Sequence, residues 1–318
     1  MIYLIDYNNQ GHRQTYGEIY ENNITDSKYI VLDSFKIYFH ILFTKNNVYF
    51  LTGDDNFIST FFIGLFRSTL NKKTFMNYYH LDFFFKKDIK SKIKKILLNQ
   101  KYNYITSFYF NEFKIDDLKD SNFTYIPEFF FGFDFSKEQN LEKPYTFFYG
   151  GAISKRKGFN KLIEAFYQFS LKSDKKFLLK IVGTVNQMDD DVFLKYNSLV
   201  DKSKLIHINE RLNDYEFDKE IYMSDCVIIP YLKSFNSNSG ILAKAIYYNK
   251  QIIASNHGYI GSFLKKYNIG KIFNIDNIEE FLINIDTTIE CQNKVNYIDL
   301  QEEHNMDNVF KIIKEYLK

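Results

Sequence analysis

The second half of this chain repeats one local pattern. An apolar run of β-type residues closes on Gly, Ser or Asn, and an amphipathic segment follows. FFYGG leads through SKRKG into a helix-patterned stretch, and the pattern returns in IVGTV, CVIIPYLKSFNSNSG and QIIASNHGYIG. Strand, small polar loop and helix in this order describe a parallel sheet with phosphate-sized loops at its carboxyl edge. The layout points to a nucleotide-binding α/β domain.

A chain of 318 residues suits two domains of roughly 150 residues, each large enough to bury its own core. The 41 basic residues nearly balance the 39 acidic ones, which argues against the basic footprint of a nucleic-acid binder, so no nucleic-acid partner is expected. Aromatics reach 19% with no Trp, a skew that an AT-rich genome also produces, and it carries no functional weight here. Cys226 lies in an apolar run far from Cys291 and reads as a reduced strand thiol. The six histidines are scattered, so no metal is expected. The start, MIYLIDYNN, has no basic segment ahead of a long apolar core, and FISTFFIGLF is half the roughly 20 residues that span a bilayer. The expectation is a soluble protein.

Along the first half, strands are expected at Ile2 to Tyr7 and in YIVLDS, NVYFLTGD, KTFMNYYHLD, YNYITSFY and FTYIP, with NNQGHRQTYGEIY as a loop after the first. FISTFFIGLFRSTL has helical length and spacing. The helix from Lys86 to about Gln100 sets Ile89, Ile93, Ile96 and Leu97 on one face and lysines on the other. Its plain reading is an apolar stripe in the core; its sharper one is a basic face on anionic lipid headgroups. The segment between Pro127 and Pro144 lacks periodicity and reads as a linker, giving domains at 1–140 and 141–300 and a C-terminal helix in 301–318. The second half alternates strands (145–149, 177–182, 204–208, 225–230, 251–255, 271–275) with helices near 158–172, 189–200, 214–223, 240–249 and 260–267. Further helical patterns follow in IEEFLINI and from Met306 to Leu317.

The ordered segments FFYGGAISKRKGFNKLIEAF, FLLKIVG, SDCVIIPYLKSFNSNSGILAKAIYYNKQIIASNHGYIG and IGKIFN resemble the donor-binding domain of GT-B glycosyltransferases, especially the large retaining family numbered four (group 1). The likeness covers about residues 145 to 285. More faintly, the first half resembles that family's acceptor-side domain through Gly11, His12 and Arg13 with Tyr16 beyond. The resemblance implies an α/β GT-B fold: two Rossmann-like domains whose parallel sheets face a central cleft, the C-terminal helix packing back on the first. It also implies sugar transfer from a nucleoside diphosphate sugar, of UDP or GDP type and with no other cofactor, to a carbohydrate or lipid-linked acceptor. Retention of anomeric configuration, a role in bacterial surface polysaccharide assembly and a cytoplasmic place, peripheral on the inner face of the membrane, belong to the same expectation.

The chain departs from the family at identifiable positions. Asn236 and Lys244 stand where the family carries a spaced pair of glutamates, and Lys244 can only donate where the second glutamate accepts ribose hydroxyls. Ala152 replaces a usual Arg, with Arg156 next to the matching Lys157.

Arg156 and Lys157 precede a helix start at Gly158, where cations and unpaired amides converge on a diphosphate. Gly151 and Gly183 end strands beside them. Ser237, Asn238, Ser239 and Gly240 form a second polar cradle before the helix that carries Lys244. Gly11, His12 and Arg13 complete the donor set from the first half. His80 at a strand end, and Asp54 and Asp55 in TGDD, are the catalytic candidates: the histidine for the transferred sugar, either aspartate as general base. Two alternatives stay open: a non-catalytic scaffold subunit that kept the fold, and a sugar-nucleotide epimerase of the same fold.

Overall fold

The computed structural model describes residues 1–8, 12–78, 87–107, 122–138, 143–151, 153–185, 189–235, 238–291 and 295–318; the side chain of His12 is not described. The chain forms two compact units, Met1–Phe129 with Glu303–Lys318, and Phe130–Glu302.

The first unit runs β1 (Ile2–Asp6), α1 (His12–Asn23), β2 (Ser27–Val31), α2 (Phe35–Phe43), β3 (Asn47–Phe50), α3 (Phe57–Thr69), β4 (Thr74–Tyr78), α4 (Ile89–Leu98), β5 (Tyr104–Ser107) and β6 (Asn122–Tyr125). Its strands pair in parallel in the order β2-β1-β3-β4-β5-β6. Tyr3, Ile5, Val48 and Phe50 pack with Ile41 and Ile63 from the helices to form a core cluster. Most of the stretch expected as a loop after β1 is helix α1, because Tyr20 is buried against Tyr49, Phe129 and Phe310 and repays the ordering of that turn. Helix α2 had no counterpart in the sequence reading; Ser34 caps it by accepting from the Ile37 amide.

Helix α4 corrects the plainer expectation for its stripe. Ser91 and Leu98 are buried while Ile89, Ile93 and Ile96 face outward. The inward face is set by Asp88, which caps the helix and accepts both the amide and the hydroxyl of Ser91 (3.0 and 2.7 Å). That capping turns positions 91, 94, 95 and 98 inward and leaves the isoleucines outside.

The second unit runs β7 (Tyr145–Gly150), a 3₁₀ turn (Lys155–Lys157), α5 (Phe159–Lys172), β8 (Phe177–Val182), α6 (Asp190–Asp201), β9 (Leu205–Ile208), α7 (Asp214–Tyr222), β10 (Cys226–Ile229), α8 (Gly240–Tyr247), β11 (Gln251–Ser255), α9 (Gly258–Tyr267), β12 (Lys271–Phe273), α10 (Ile278–Glu290) and α11 (Ile298–Glu303). The sheet is again parallel, in the order β12-β11-β10-β7-β8-β9. Phe147, Leu179, Ile181, Ile228 and Ile253 pack against Leu162, Phe166 and Ile285 in its core. The division between units falls at Phe129, ahead of the boundary expected near 140. Phe135 is buried among Tyr215, Tyr222 and Tyr248, so the proline-bounded segment packs onto the second unit.

Helix α12 (Met306–Tyr316) belongs to the first unit. Phe310 meets Tyr20 and Phe129, and the Tyr316 hydroxyl donates to the carbonyls of Ile105 and Asn122 (3.2 and 2.7 Å).

Candidate active site

In the second unit β7 and β10 lie side by side, yet β8 and β9 continue from β7 in one direction and β11 and β12 from β10 in the other. The connections leaving their carboxyl ends therefore diverge and open a crevice, where ligands of doubly wound sheets bind. Both loops that enter this crevice come from the expected site residues.

The loop after β7 begins at Gly151, with φ +87. A Cβ there would lie 3.2 Å from Ile241 Cδ1 and 3.3 Å from Lys157 Nζ. The glycine therefore marks the point where the Lys157 ammonium and the start of α8 converge. Gly158 ends the 3₁₀ turn at φ +75, and a Cβ on it would fall 1.7 Å from the Pro230 carbonyl oxygen. Only glycine lets the cation-bearing turn close against the segment after β10. The Leu232 amide donates to the Arg156 carbonyl (2.9 Å) and locks the two loops together. Gly183, after β8, packs on the Gly151 carbonyl, and His207 Nε2 donates to the Gly183 carbonyl (2.8 Å).

Arg156 lays its guanidinium 5.0 Å from the Phe235 ring centroid, and Lys157 sets its ammonium 5.4 Å from that of Tyr231. Those two rings pack on each other at 4.5 Å. Lys155 in the same turn pairs with Asp189 at 2.8 Å, whereas among the described residues neither Arg156 nor Lys157 meets a carboxylate. Burial, with Arg156 adjacent, pushes Lys157 down to about 8.

Ser239 is the N-cap of α8, but its hydroxyl makes no cap bond and lies 3.3 Å from the Tyr231 hydroxyl. Its carbonyl takes the amides of Leu242 and Ala243, which leaves those of Gly240 and Ile241 at the uncapped end of the helix. A Cβ on Gly240 would meet nothing within 4 Å, so space lies open at that end. The two cations, the amides at the start of α8 and the positive end of its helix dipole together have the chemistry of an anion site.

Lys244, expected in the donor set, has a carboxylate partner within its own unit. Its ammonium pairs with Asp218 on α7 at 2.7 Å and lies 4.1 Å from the Phe131 ring centroid. Asn238 leads into Ser239, while Asn236 and Ser237 lie outside the described residues. Tyr231, Phe235 and Asp218 escaped the sequence reading. PYLKSF shows two rings after an apolar strand but not the cations they meet.

In the first unit the switch point is at β1 and β3. Asp6, the last residue of β1, is buried and accepts from the Tyr7 amide (3.0 Å), from the Thr52 hydroxyl and from Arg13 (3.4 Å). Arg13 also donates to Asp55 (2.7 Å). The structure thus joins Arg13 and Asp55, two expected site residues, into an ion pair anchored on Asp6, which sequence reasoning missed. Burial raises the Asp6 carboxyl above its ordinary range, with nearby Asp54 adding to the effect and Thr52 and Arg13 opposing it. Gly11 and His80 lie outside the described residues. A cavity of about 290 Å³ opens beside this cluster, lined by Tyr7, Tyr38 and Phe35 and by Asp33, Asn56 and Ser59. Aromatic faces with convergent hydroxyl, amide and carboxylate groups are the chemistry of a sugar site. Among the described residues no group of three or more His, Cys, Asp or Glu side chains is placed to hold a metal ion.

Two parallel doubly wound units with a site of this kind define the GT-B class of glycosyltransferases. Residues 131–304 match the family model of glycosyl transferases group 1, and the chain belongs to that family. No curated protein sequence matches it. Among solved structures, Anabaena Alr3699/HepE in complex with UDP and glucose is similar at a TM-score of 0.72 and 12% identity, over 99% of this chain and 98% of that one. Sucrose-phosphate synthase (tll1590) from Thermosynechococcus elongatus is similar at 0.67 and 14%, over 99% and 97% of the two chains. The apo form of the lipopolysaccharide outer core galactosyltransferase WaaB gives 0.67 and 13%, over 99% and 98%. At these identities the likeness is one of fold.

Proposed function

We propose that this group 1 glycosyltransferase moves a sugar from a nucleoside diphosphate sugar to a carbohydrate or lipid-linked acceptor in bacterial surface polysaccharide biosynthesis. The observation that carries the reading is the pair Arg156 and Lys157, without carboxylate partners among the described residues, the Lys157 ammonium meeting the start of α8 at Gly151. Charge develops on the departing diphosphate in the transition state, and preorganised cations and amides stabilise it without reorganising. These groups supply the countercharge that a metal ion supplies in other transferases, so we assign a metal-independent reaction. Retention of configuration follows from the family resemblance. The UDP and glucose held by HepE favour a UDP donor, and the outer core role in the name of WaaB favours a surface glycan.

In the first unit, the cavity beside Asp6 is the proposed acceptor-sugar site, Asp54 the proposed general base and His80 the proposed contact to the transferred sugar. Asp55 is engaged by Arg13 and takes the role of positioning that guanidinium. No helix among the described residues is long and apolar enough to cross a membrane, which is consistent with the proposed place at the inner face of the membrane.

The scaffold alternative draws on Lys244, whose ammonium is engaged by Asp218 where the family has a carboxylate. A thermal-shift panel of UDP, GDP and ADP decides between the two. A ligand at about 100 times its Kd stabilises the fold by roughly 2.7 kcal/mol. The transferase reading expects one diphosphate to raise the melting temperature and Arg156→Ala and Lys157→Ala to cut that response sharply. A folded protein indifferent to every diphosphate would sink it.

A further inference from the structure

Helices α2, α3 and α4 form one continuous layer of the first unit. Phe43 of α2 meets Phe66 of α3 edge-on at 5.3 Å, the Ser59 hydroxyl of α3 donates to Tyr38 of α2, and Lys94 of α4 lies 5.0 Å from the Phe57 ring centroid of α3. The outward surface of this layer is apolar to an extent unusual for a protein facing water. On α2, Phe35, Phe39 and Phe43 recur every fourth residue and stack in sequence at 6.3 and 4.7 Å, with Phe35 82% exposed. On α3, Ile58, Phe62 and Phe66 recur at the same spacing and Leu70 follows at the C-cap, with Ile58 67% exposed. On α4, Ile89 and Ile96 are 75% and 65% exposed, with Ile93 between them. Parallel rows of exposed rings and branched chains make a patch, not scattered surface residues.

Within the three helices the charge has one sign, with Asp33 and Asp88 standing just ahead of α2 and α4. The sequences of α2, α3 and α4 (FKIYFHILF, FISTFFIGLFRST and IKSKIKKILL) contain no Asp or Glu, and α4 alone carries Lys90, Lys92, Lys94 and Lys95. This is local, because the whole chain is nearly neutral at +2 and α6, α7 and α10 of the other unit each hold several carboxylates. A second copy is a poor occupant, since a two-fold contact would set these lysines against themselves. Apolar rows flanked by lysines, on helices that carry no carboxylate of their own, complement a surface that is anionic outside and apolar a few ångströms in.

We propose that the outer face of the α2–α3–α4 layer docks on an anionic lipid bilayer, with the phenylalanines and isoleucines entering the headgroup region and the exposed Lys90 and Lys92 among the lipid phosphates. Phe35 and Tyr38 belong both to this layer and to the cavity beside Asp6. Docking therefore brings the proposed acceptor-sugar site to the membrane, and it narrows the acceptor of the proposed function to one whose lipid stays in the bilayer. That last step rests on the transferase reading; the docking itself does not.

The chain contains no Trp, so single substitutions supply a clean reporter. Phe39→Trp and Ile93→Trp place it on the layer, and Phe193→Trp, exposed on α6, serves as control. On adding phosphatidylcholine vesicles that contain phosphatidylglycerol, the first two should blue-shift and the control should not. Salt should weaken the response. In the Lys87→Glu/Lys90→Glu/Lys92→Glu background, partitioning should drop about tenfold or more, with melting unchanged because all three side chains are exposed. An absent shift, a shift equal in the control, or one indifferent to lipid charge and to the lysines overturns the proposal. Shielding of the reporters by dimerisation without vesicles does so in favour of a second copy. Diphosphate binding is measured separately and stands or falls by itself.

Discussion

Lys244 Nζ lies 2.7 Å from Oδ2 of Asp218, and the same oxygen accepts the Tyr248 hydroxyl at 2.7 Å. Asp218 is only 2% exposed, and burial raises its carboxyl above the ordinary range against the pull of Lys244. The lysine at a family glutamate position thus ties α7 to α8.

Removing one partner leaves a buried charge alone, which costs more than the pair contributes. Lys244→Met should therefore destabilise the protein by about 3–5 kcal/mol, and Lys244→Met/Asp218→Asn should recover most of it. Lys244→Glu should be no better than Lys244→Met, since it sets two carboxylates together. Urea unfolding of the four proteins measures this, and a Lys244→Met variant as stable as the parent would contradict it.

The titration of Lys157 gives the donor site a pH signature. Its folded value is about 8 against 10.5 for the free side chain, so between these limits the unfolded chain binds more protons and Lys157 makes stability rise with pH. Diphosphate binding runs the other way, because only the ammonium attracts the phosphates. Affinity should fall as pH rises through about 8, approaching tenfold per pH unit, and Lys157→Arg should flatten that profile. Loss of the ammonium in Lys157→Ala should weaken binding by roughly tenfold to a hundredfold at neutral pH. Isothermal titration across the pH range checks each slope.

Two glycines of the same site should respond oppositely to a methyl group. Gly158→Ala forces a Cβ toward the Pro230 carbonyl from a left-handed backbone, and nothing there can move without breaking the join between the loops. We expect a loss of about 3 kcal/mol or more. Gly240→Ala meets open space at the first position of α8 and should change stability by less than about 0.5 kcal/mol. It does narrow the approach to the Gly240 and Ile241 amides, so diphosphate affinity should fall while the melting temperature holds. Equal melting temperatures for the two variants would refute the loop geometry.

The difference between what was legible in the sequence and what was not has physical causes. Strands β8 and β11 match their expected limits because each apolar run begins after a lysine, Lys176 or Lys250, and stops at Gly183 or Asn256. Arg156, Lys157 and Gly151 were legible because a glycine–cation–glycine loop between strand and helix has few structural uses. The partners of these residues were not, since Tyr231 and Phe235 come from another strand's loop and meet the cations only through the sheet order. In α4 the helical period was right and the face wrong. Apolar spacing says which residues share a side, and Asp88 capping onto Ser91 decides which side turns inward. The spacing of Lys244 from Asn236 likewise matched a ligand motif but could not show that its ammonium meets Asp218 on α7.

Asp6 provides a stability test of the first unit's site. Its carboxyl is raised in the fold, chiefly by burial, so between the ordinary aspartate value of 3.8 and the raised one the native state binds the extra proton. Stability therefore falls as pH increases through that window, and above it the full cost of the buried charge is present. Asp6→Asn removes the titration and keeps an oxygen for the Tyr7 amide and the Thr52 hydroxyl. The variant should lose the downward slope in acid and be at least as stable as the parent near neutrality. Arg13 then keeps only Asp55 as a carboxylate anchor among the described residues, so the proposed transfer should slow while the fold holds. Denaturant melts between pH 4 and 7 on both proteins, paired with transfer assays, read the two effects separately. A variant markedly less stable than the parent at neutral pH would show that the Asp6–Arg13 attraction outweighs the burial of the charge.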